Sequence, residues 1–224
     1  MTDHSRCAVT ARPGRRATAA GLTAIIRAEV GKVVTLPALR ITALLTWASA
    51  LLLIPAHADG RQVLQFAQAG FLVLGVFATT QEYQAGGQIR TTLLAVPRRL
   101  LLVAAKVAAL TAVIVPVAGV VAFTAMAPGG DVARVPATSA YLTLTTLLAA
   151  AVGLTLRHTV PAATVLLSTY LIASPALRAR LPDDTAVWLP DTALVDPPHG
   201  TVALLLWAAA TFALATTTLH LRDA

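Results

Sequence analysis

The sequence has few charged residues and almost no cysteine. Asp, Glu, Lys and Arg make up 12% of the 224 residues, whereas soluble domains contain about 25% of them. Hydrophobic residues make up 57%, more apolar surface than a water-soluble core can bury. The single cysteine, Cys7, excludes an intrachain disulfide and a cysteine-based metal cluster. The composition therefore predicts a polytopic membrane protein whose one thiol is free and reduced.

Motifs for nucleotide hydrolysis and for common hydrolytic chemistry are also missing. The Gly31-Lys32 pair is followed by Val33 and has no glycine five positions before Gly31, so it is not a phosphate-binding loop. Neither HExxH nor Gly-x-Ser-x-Gly occurs, and no acidic residue falls at the centre of an expected span. The histidines fall in tails, loops or span ends: His4, His57, His158, His199 and His220. We expect no enzymatic activity, cofactor or metal on this chain, and an energy source outside it.

The apolar residues form six runs that can serve as transmembrane spans. These runs cover about 41–56, 63–80, 101–127, 137–156, 160–175 and 201–219. The fifth run, of about 16 residues, is short for a bilayer core of roughly 30 Å. We expect it to continue as a non-ideal helix, to tilt little, or to break near Pro175. The spans belong to a single transmembrane domain, 19–224, that follows a flexible basic tail, 1–18.

Residues 19–36 have the pattern of an amphipathic helix ahead of the first span. Its apolar residues share one side at the helical period, and Arg27 and Lys32 fall away from that side. Glu29, in contrast, projects into the apolar arc. The pattern predicts a helix in the membrane interface that Pro37 can end. The simplest partner for Glu29 is Lys32, three residues later, and a contact with another subunit is the alternative.

The longest polar interruption in the first half of the chain is 82–106. Its charged residues are mostly cations: Glu82, Arg90, Arg98, Arg99 and Lys106. The Gly86-Gly87 pair can turn the chain, and Pro97 ends a helix-permissive run, 89–96. The pattern predicts a loop, 81–100, with a short helix of about two turns that docks a partner. The alternative is an ordinary loop whose arginines only fix topology. Lys106 lies near enough to the span end for its ammonium to reach the lipid headgroups.

The later spans suggest helix-packing surfaces and one long loop. Small residues repeat every fourth position, which lets another helix approach closely. These residues are Thr145, Ala149 and Gly153 in the fourth span, and Ala209, Ala213 and Thr217 in the sixth. Hydroxyl side chains at membrane depth, such as Thr46, Ser49 and Ser168, are read as packing groups too. The loop 176–200 contains apolar residues such as Trp188, which suggest that it lies on the membrane surface.

The charges are distributed unevenly between the two sides of the membrane. One side comprises the N-terminal segment, the central segment 82–106, Arg157 and the C-terminus. It holds 13 of the 17 Lys and Arg residues but 4 of the 10 acidic residues. The positive-inside rule therefore predicts that both termini are cytoplasmic. The same rule accounts for the net charge of +7 without a nucleic-acid partner.

The chain resembles the permease subunits of type-2 ABC exporters, the small six-span bacterial kind. Its amphipathic helix, with Glu29, Lys32 and Thr35, is similar to the interfacial elbow helix of that family. Its central segment is similar to the family loop between spans two and three, through Glu82, Gly87, Arg90, Thr92, Pro97, Arg99 and Lys106. The family often has threonine where this chain has Gln88. In the layout of its spans and loops, including an outward re-entrant loop before the last span, the whole chain resembles the family. In sequence motifs only 25–40 and 82–106 do.

The resemblance implies a function and a set of partners. Such a permease lies in the bacterial plasma membrane, pairs with a second copy or a paralogue, and binds two copies of a cytoplasmic ATP-binding subunit that carries ATP and magnesium. The elbow helix and the loop 81–100, as a coupling helix, would seat in a groove of that subunit.

Because the spans lack a charged pocket, an amphipathic or hydrophobic substrate is favoured over small ions. Two alternatives stay open. The first is a non-transport membrane subunit that binds a cytoplasmic partner through the same loop. The second is an intramembrane enzyme, which would need a polar cluster at membrane depth that the sequence does not reveal.

Overall fold

A computed structural model describes residues 20–54, 60–84, 99–191 and 197–222, and within these ranges the regular elements are all helical. The predicted all-α class is therefore confirmed. The helices, in chain order, are α1 (Ala20–Thr35), α2 (Pro37–Leu53), α3 (Gly60–Gln84), α4 (Arg99–Met126), α5 (Val135–Leu156), α6 (Thr159–Ser168), α7 (Ser174–Arg178), α8 (Asp183–Ala186) and α9 (Pro197–Arg222). A π-helical turn, Thr169–Ala173, joins α6 to α7, and two short 3-10 turns, Ala127–Gly129 and Val132–Arg134, join α4 to α5.

Five helical segments are long and apolar enough to cross a membrane, and a sixth is made of two pieces. The five are Gln62–Gln81, Val103–Gly129, Val132–Leu156, Thr159–Arg178 and Gly200–Thr218. The shorter helix α2, with 17 residues, reaches about 25 Å. It is long enough only together with Ile26–Thr35 of α1, from which it is bent by 65°. The chain is thus a multi-pass membrane protein with five or six spans.

The bend between α1 and α2 follows from Pro37. The residue before it, Leu36, has an extended backbone with φ −67° and ψ 116°, as a residue before proline usually does. Pro37 is the first residue of α2, where its missing N–H sacrifices no hydrogen bond. The Arg40 Nε donates a 2.5 Å hydrogen bond to the carbonyl of Val34, one of the terminal carbonyls that α1 leaves unpaired. Arg40 therefore stabilises the bend.

The helix α5 lies at the centre of the bundle and contacts α3, α4, α6 and α9. Its buried side chains point in all directions, because neighbours surround it. They are Tyr141, Leu142, Thr143, Thr145, Thr146, Leu148, Ala149, Ala150, Ala151, Gly153 and Leu154. Every helix that contacts α5 is therefore positioned by it.

The backbones of α3 and α5 approach each other closely. A Cβ atom added to Gly75 would lie 2.3 Å from the carbonyl oxygen of Thr146 and 2.8 Å from the Cβ of Ala149. A Cβ atom added to Gly153 would lie 2.3 Å from Oγ1 of Thr79. Thr145 is also fully buried. The small residues of the fourth span thus lie within the bundle, and Ala149 and Gly153 face α3.

The last span packs within this chain through a side other than its stripe of small residues. Ala209 and Ala213 are both exposed, so neither packs closely against another described helix of this chain. Where the side chains of α9 are described, its buried residues are Gly200, Ala203, Leu204, Ala208 and Ala215. The approach of another helix to the small residues stays a prediction.

The fifth span is a non-ideal helix, as its short apolar run indicated. It extends over 20 residues, Thr159–Arg178, because the helix continues through Pro175 instead of breaking there. The π-helical turn precedes Pro175 directly, and the N–H of Ser174 donates to the carbonyl of Thr169, five residues earlier. The wider turn accommodates the ring of Pro175, which has no N–H to donate to the preceding turn.

Several helix ends differ from the expected span boundaries. The helix α3 runs to Gln84, so the backbone of Glu82 is helical and is not part of a loop. The helix α4 begins at Arg99. Residues 85–98 of the expected loop 81–100 lie outside the described residues, together with its expected short helix. A helix is present near the expected bounds 19–36, as α1, Ala20–Thr35, and its place in the membrane interface stays a prediction.

Candidate functional site

Three of the residues expected to couple to a partner meet where α1 packs against the start of α4. The Nζ atom of Lys32 donates a 2.6 Å hydrogen bond to Oε1 of Glu29. The Nζ atom of Lys106 lies 3.7 Å from Oε2 of the same carboxylate. The pairing of Glu29 with Lys32 is confirmed, and the pairing with Lys106 was not predicted. We call Glu29, Lys32 and Lys106 the charged cluster.

Burial makes the two contacts of Glu29 unequal. The side chain of Glu29 is 5% exposed and that of Lys106 is 11% exposed, whereas Lys32 is 39% exposed. Taking a carboxylate out of water is costly unless a cation and hydrogen bonds compensate it. The charge of Lys106 is screened least by solvent, so it is the partner on which Glu29 depends most.

The ammonium of Lys106 lies beside Glu29, within the contact between α1 and α4. A buried carboxylate within reach of the side chain stabilises it there. Lys106 thus joins the two helices. The expectation that it reaches toward the lipid headgroups stays a prediction.

The surrounding apolar contacts explain why Glu29 faces inward. Val33, one helical turn after Glu29, is buried in the core, and α1 contacts α4. The sequence pattern already placed Glu29 on the apolar side of α1. An amphipathic helix that buries this side against α4 necessarily buries Glu29 with it.

The other residues of the expected coupling site can be placed only in part. Gly87, Arg90, Thr92 and Pro97 fall in 85–98, outside the described residues. Of Glu82 and Arg99 the structure gives the backbone alone, in the last turn of α3 and at the first position of α4. Lys106 lies two turns, about 10 Å, after the start of α4. The charged cluster therefore lies close to the point where the segment 85–98 enters α4.

The same end of the bundle contains a second set of contacts, between α3 and the turn that joins α5 to α6. The hydroxyl oxygens of Thr80 and Thr159 are 2.7 Å apart, and the guanidinium carbon of Arg157 lies 5.4 Å from the centre of the Tyr83 ring. Arg157 has a positive φ of 58°, and its N–H donates a 2.9 Å hydrogen bond to the carbonyl of Gly153. The end of α3 is thus fixed to this turn.

The opposite end contains a polar group of side chains that the sequence did not indicate. Oδ1 of Asp191 accepts hydrogen bonds from the hydroxyl of Ser174 and, at 2.7 Å, from Nη2 of Arg178. The buried tyrosines Tyr141 and Tyr170 belong to the core of the same bundle. Ser174, Arg178 and Asp191, which we call the polar cluster, include one carboxylate and no histidine. Within the described ranges no three His, Cys, Asp or Glu side chains could hold a metal ion.

The polar cluster also fixes the long loop before the last span. Asp191 ties the end of the described loop to α7, and the indole Nε1 of Trp207 donates a 3.0 Å hydrogen bond to the carbonyl of Trp188. Trp207 lies about 10 Å along α9 from Gly200, inside the apolar window of that helix. The described part of the loop is therefore held against α7 and α9, and its place on the membrane surface stays a prediction.

Comparison with known proteins gives no relative from which a function could be transferred: no protein-family model, no curated protein and no solved structure matches this chain.

Proposed function

We propose that this chain is the permease subunit of an ABC-type exporter in the bacterial plasma membrane, with both termini in the cytoplasm. A separate cytoplasmic subunit would bind ATP and magnesium, and the permease would pair with a second copy or a paralogue. The substrate would be amphipathic or hydrophobic and would move outward. The observation that supports this proposal best is the contact between Glu29 of α1 and Lys106 of α4.

The contact matters because it joins two elements that a cytoplasmic partner would touch. In this proposal α1 lies in the membrane interface as an elbow helix, and the segment 85–98 contains the coupling helix. The chain passes from that segment directly into α4. A force on either element would therefore act on both, because the charged cluster holds α1 to α4.

The helix α4 is suited to carry such a movement through the membrane. It has 28 residues, about 42 Å at the usual helical rise, and it contacts both α1, at Lys106, and α5. Closure of the ATP-binding subunits would displace α1 and α4 together as a rigid body. The displacement would then reach the opposite end of the bundle through α5.

The first experiment is a pull-down of the tagged protein from native membranes, followed by mass spectrometry. We expect a stoichiometric subunit with a phosphate-binding loop, which the double variant Arg90→Glu/Arg99→Glu loses. The matched control is Arg134→Glu/Arg180→Glu, which reverses as many charges at exposed positions of the opposite end and should retain the partner. A partner without a nucleotide site would instead favour the non-transport membrane subunit.

The second experiment separates docking from transport. Membrane vesicles containing the complex are assayed for ATP hydrolysis and for transport of the cell's amphipathic export products across the vesicle membrane. The Arg90→Glu/Arg99→Glu protein should insert normally but fail to couple hydrolysis to transport, because reversed charges cannot dock in the same groove. Normal transport by this variant would refute the proposed coupling site.

A further inference from the structure

The fifth and sixth spans stand on the same central helix without packing extensively on each other. The fifth span, formed by α6, the π-helical turn and α7, packs against α3 and α5, and the sixth, α9, packs against α5. Among the described helices, contacts of α9 with α6 or α7 are at most weak. The two spans are therefore joined chiefly by the chain that runs between them.

The described part of that chain, residues 179–191, is attached to both spans. Asp191 is bound to the end of the fifth span through the polar cluster, whose two hydrogen bonds both end on Oδ1 of its carboxylate. The carbonyl of Trp188 accepts a 3.0 Å hydrogen bond from the indole Nε1 of Trp207 in α9. The two attachments are three residues apart, at most about 11 Å of extended chain. We call residues 179–191 the strap, because they hold the two spans together at this end.

Apart from these attachments, little buried surface holds the strap in place. Its buried residues, where side chains are described, are Ala186 and Pro190. Many others are exposed, among them Leu181, Pro182, Asp184, Thr185 and Trp188. Segments with few buried apolar contacts open locally at a lower free energy than the core of a protein. The attachments therefore decide how much of the time the strap stays closed.

The attachment at Asp191 is the stronger of the two. The side chain of Asp191 is 16% exposed and that of Arg178 is 27% exposed, so water screens their 2.7 Å contact only in part. A hydrogen bond between charged groups is also stronger than the neutral bond that Trp207 donates. Because one oxygen of Asp191 accepts from both Ser174 and Arg178, a movement of this carboxylate breaks both bonds together. Asp191 thus has the position of a latch.

We propose that the strap opens as one unit, latched by Asp191, while the spans themselves stay folded. Opening releases the end of the fifth span from the end of the sixth. The opening itself depends on no partner. Its use, the exit of the cargo between the separated span ends, rests on the proposed export function.

The test measures how fast a water-soluble maleimide labels a cysteine that the closed strap buries. The full-length protein in lipid nanodiscs carries Cys7→Ser together with Ala186→Cys, at a position that is 6% exposed. Labelling should be slower than at the exposed Thr185→Cys and should still go to completion. Ala203→Cys, at a position of α9 that is 1% exposed, should stay unlabelled, because the span does not open. Labelling of Ala186→Cys as slow as that of Ala203→Cys would overturn the proposal.

Removing the latch should raise the labelling rate selectively. Asp191→Asn should accelerate labelling of Ala186→Cys about tenfold, because hydrogen bonds to a charged group contribute most. The matched control Asp184→Asn makes the same chemical change at an exposed position of the strap and should leave the rate unchanged. Trp207→Phe should accelerate labelling about threefold, because the second attachment holds the same unit. Equal rates for the two aspartate variants, or no effect of Trp207→Phe, would overturn the proposal.

A second reporter guards against a local effect of the first cysteine. Pro190 is buried between the two attachments, so Pro190→Cys should show the same order of labelling rates in the same variants. Ratios that differ between the two reporters would show that the strap does not open as one unit.

The use of the opening in export is tested separately. In the complex with an ATP-binding subunit, ATP and magnesium should accelerate labelling of Ala186→Cys. A complex that hydrolyses ATP without changing the labelling rate would refute the exit of cargo at the strap. The labelling of the protein alone involves no ATP-binding subunit, so failure of the strap is distinguishable from failure of the proposed function.

Discussion

Removing the carboxylate of Glu29 should destabilise the protein chiefly through Lys106. In Glu29→Gln the ammonium of Lys106, 11% exposed and 3.7 Å from the carboxylate, loses this charge contact while it stays largely buried. At an effective dielectric constant of about 20, two charges at that distance interact by about 4 kcal/mol. Removing one partner of a buried pair typically costs about 3–5 kcal/mol. We therefore expect a loss of about 3 kcal/mol.

The two lysines should differ in proportion to their burial. Lys32→Ala removes the shorter contact, 2.6 Å, but from a side chain that is 39% exposed, and solvent-exposed pairs contribute about 0–1 kcal/mol. Lys106→Met should cost more, because it leaves Glu29, 5% exposed, with only a screened partner. The double variant Glu29→Gln/Lys106→Met should be more stable than Glu29→Gln alone, since it also removes the buried ammonium that has lost its contact with the carboxylate.

Thermal unfolding in nanodiscs, followed by tryptophan fluorescence, measures these differences. For a chain of this size 1 kcal/mol shifts Tm by about 2–4 °C. The expected decrease for Glu29→Gln is thus about 6–12 °C, and that for Lys32→Ala is at most about 4 °C. A larger loss for Lys32→Ala than for Lys106→Met would show that distance rather than burial governs the cluster and would refute the reasoning.

Three further changes test the packing by the same measurement. Gly75→Ala should cost about 1–3 kcal/mol because its Cβ meets backbone of α5. The control Gly119→Ala, whose Cβ would have nothing within 4 Å, should be neutral or stabilising by up to about 1 kcal/mol. Equal effects would contradict the close approach of α3 and α5. Arg157→Gly should be about 1 kcal/mol more stable than Arg157→Ala, since the residue has φ 58°. Thr80→Val and Thr159→Val should be non-additive by about 0.6 kcal/mol, because their hydroxyls are 2.7 Å apart, and additive losses would argue against this bond.

Features set by neighbouring residues in the chain could be predicted from the sequence. The apolar runs located the spans within a few residues, since a long apolar helix has few alternatives in a membrane. Pro37 located the break between α1 and α2 because it removes one donor and restricts Leu36. The pair of Glu29 and Lys32 followed from a spacing of three residues on one helix.

Features that depend on which helices become neighbours could not be predicted. Nothing local connects Glu29 to Lys106, and their contact exists only because α1 packs against α4. The polar cluster likewise draws Ser174 and Arg178 from α7 and Asp191 from a loop. In the sequence each of these appears as an isolated polar residue near a span end. The small residues of α9 do not identify the helix that would pack on them, since size alone does not identify a neighbour.

The charged cluster fixes the two expected coupling elements, the elbow helix and the segment 85–98, relative to each other. A buried ion pair contributes little net stability, because desolvation offsets most of the attraction, and apolar residues of similar volume often serve as well. Such a pair does fix one arrangement, since any shift of α1 along α4 would separate Glu29 from Lys106. Under the proposed function this is what a docking surface needs. The elbow helix and the segment 85–98 would keep one relative position while a partner moves them, and α4 and α5 would carry the movement to the opposite end.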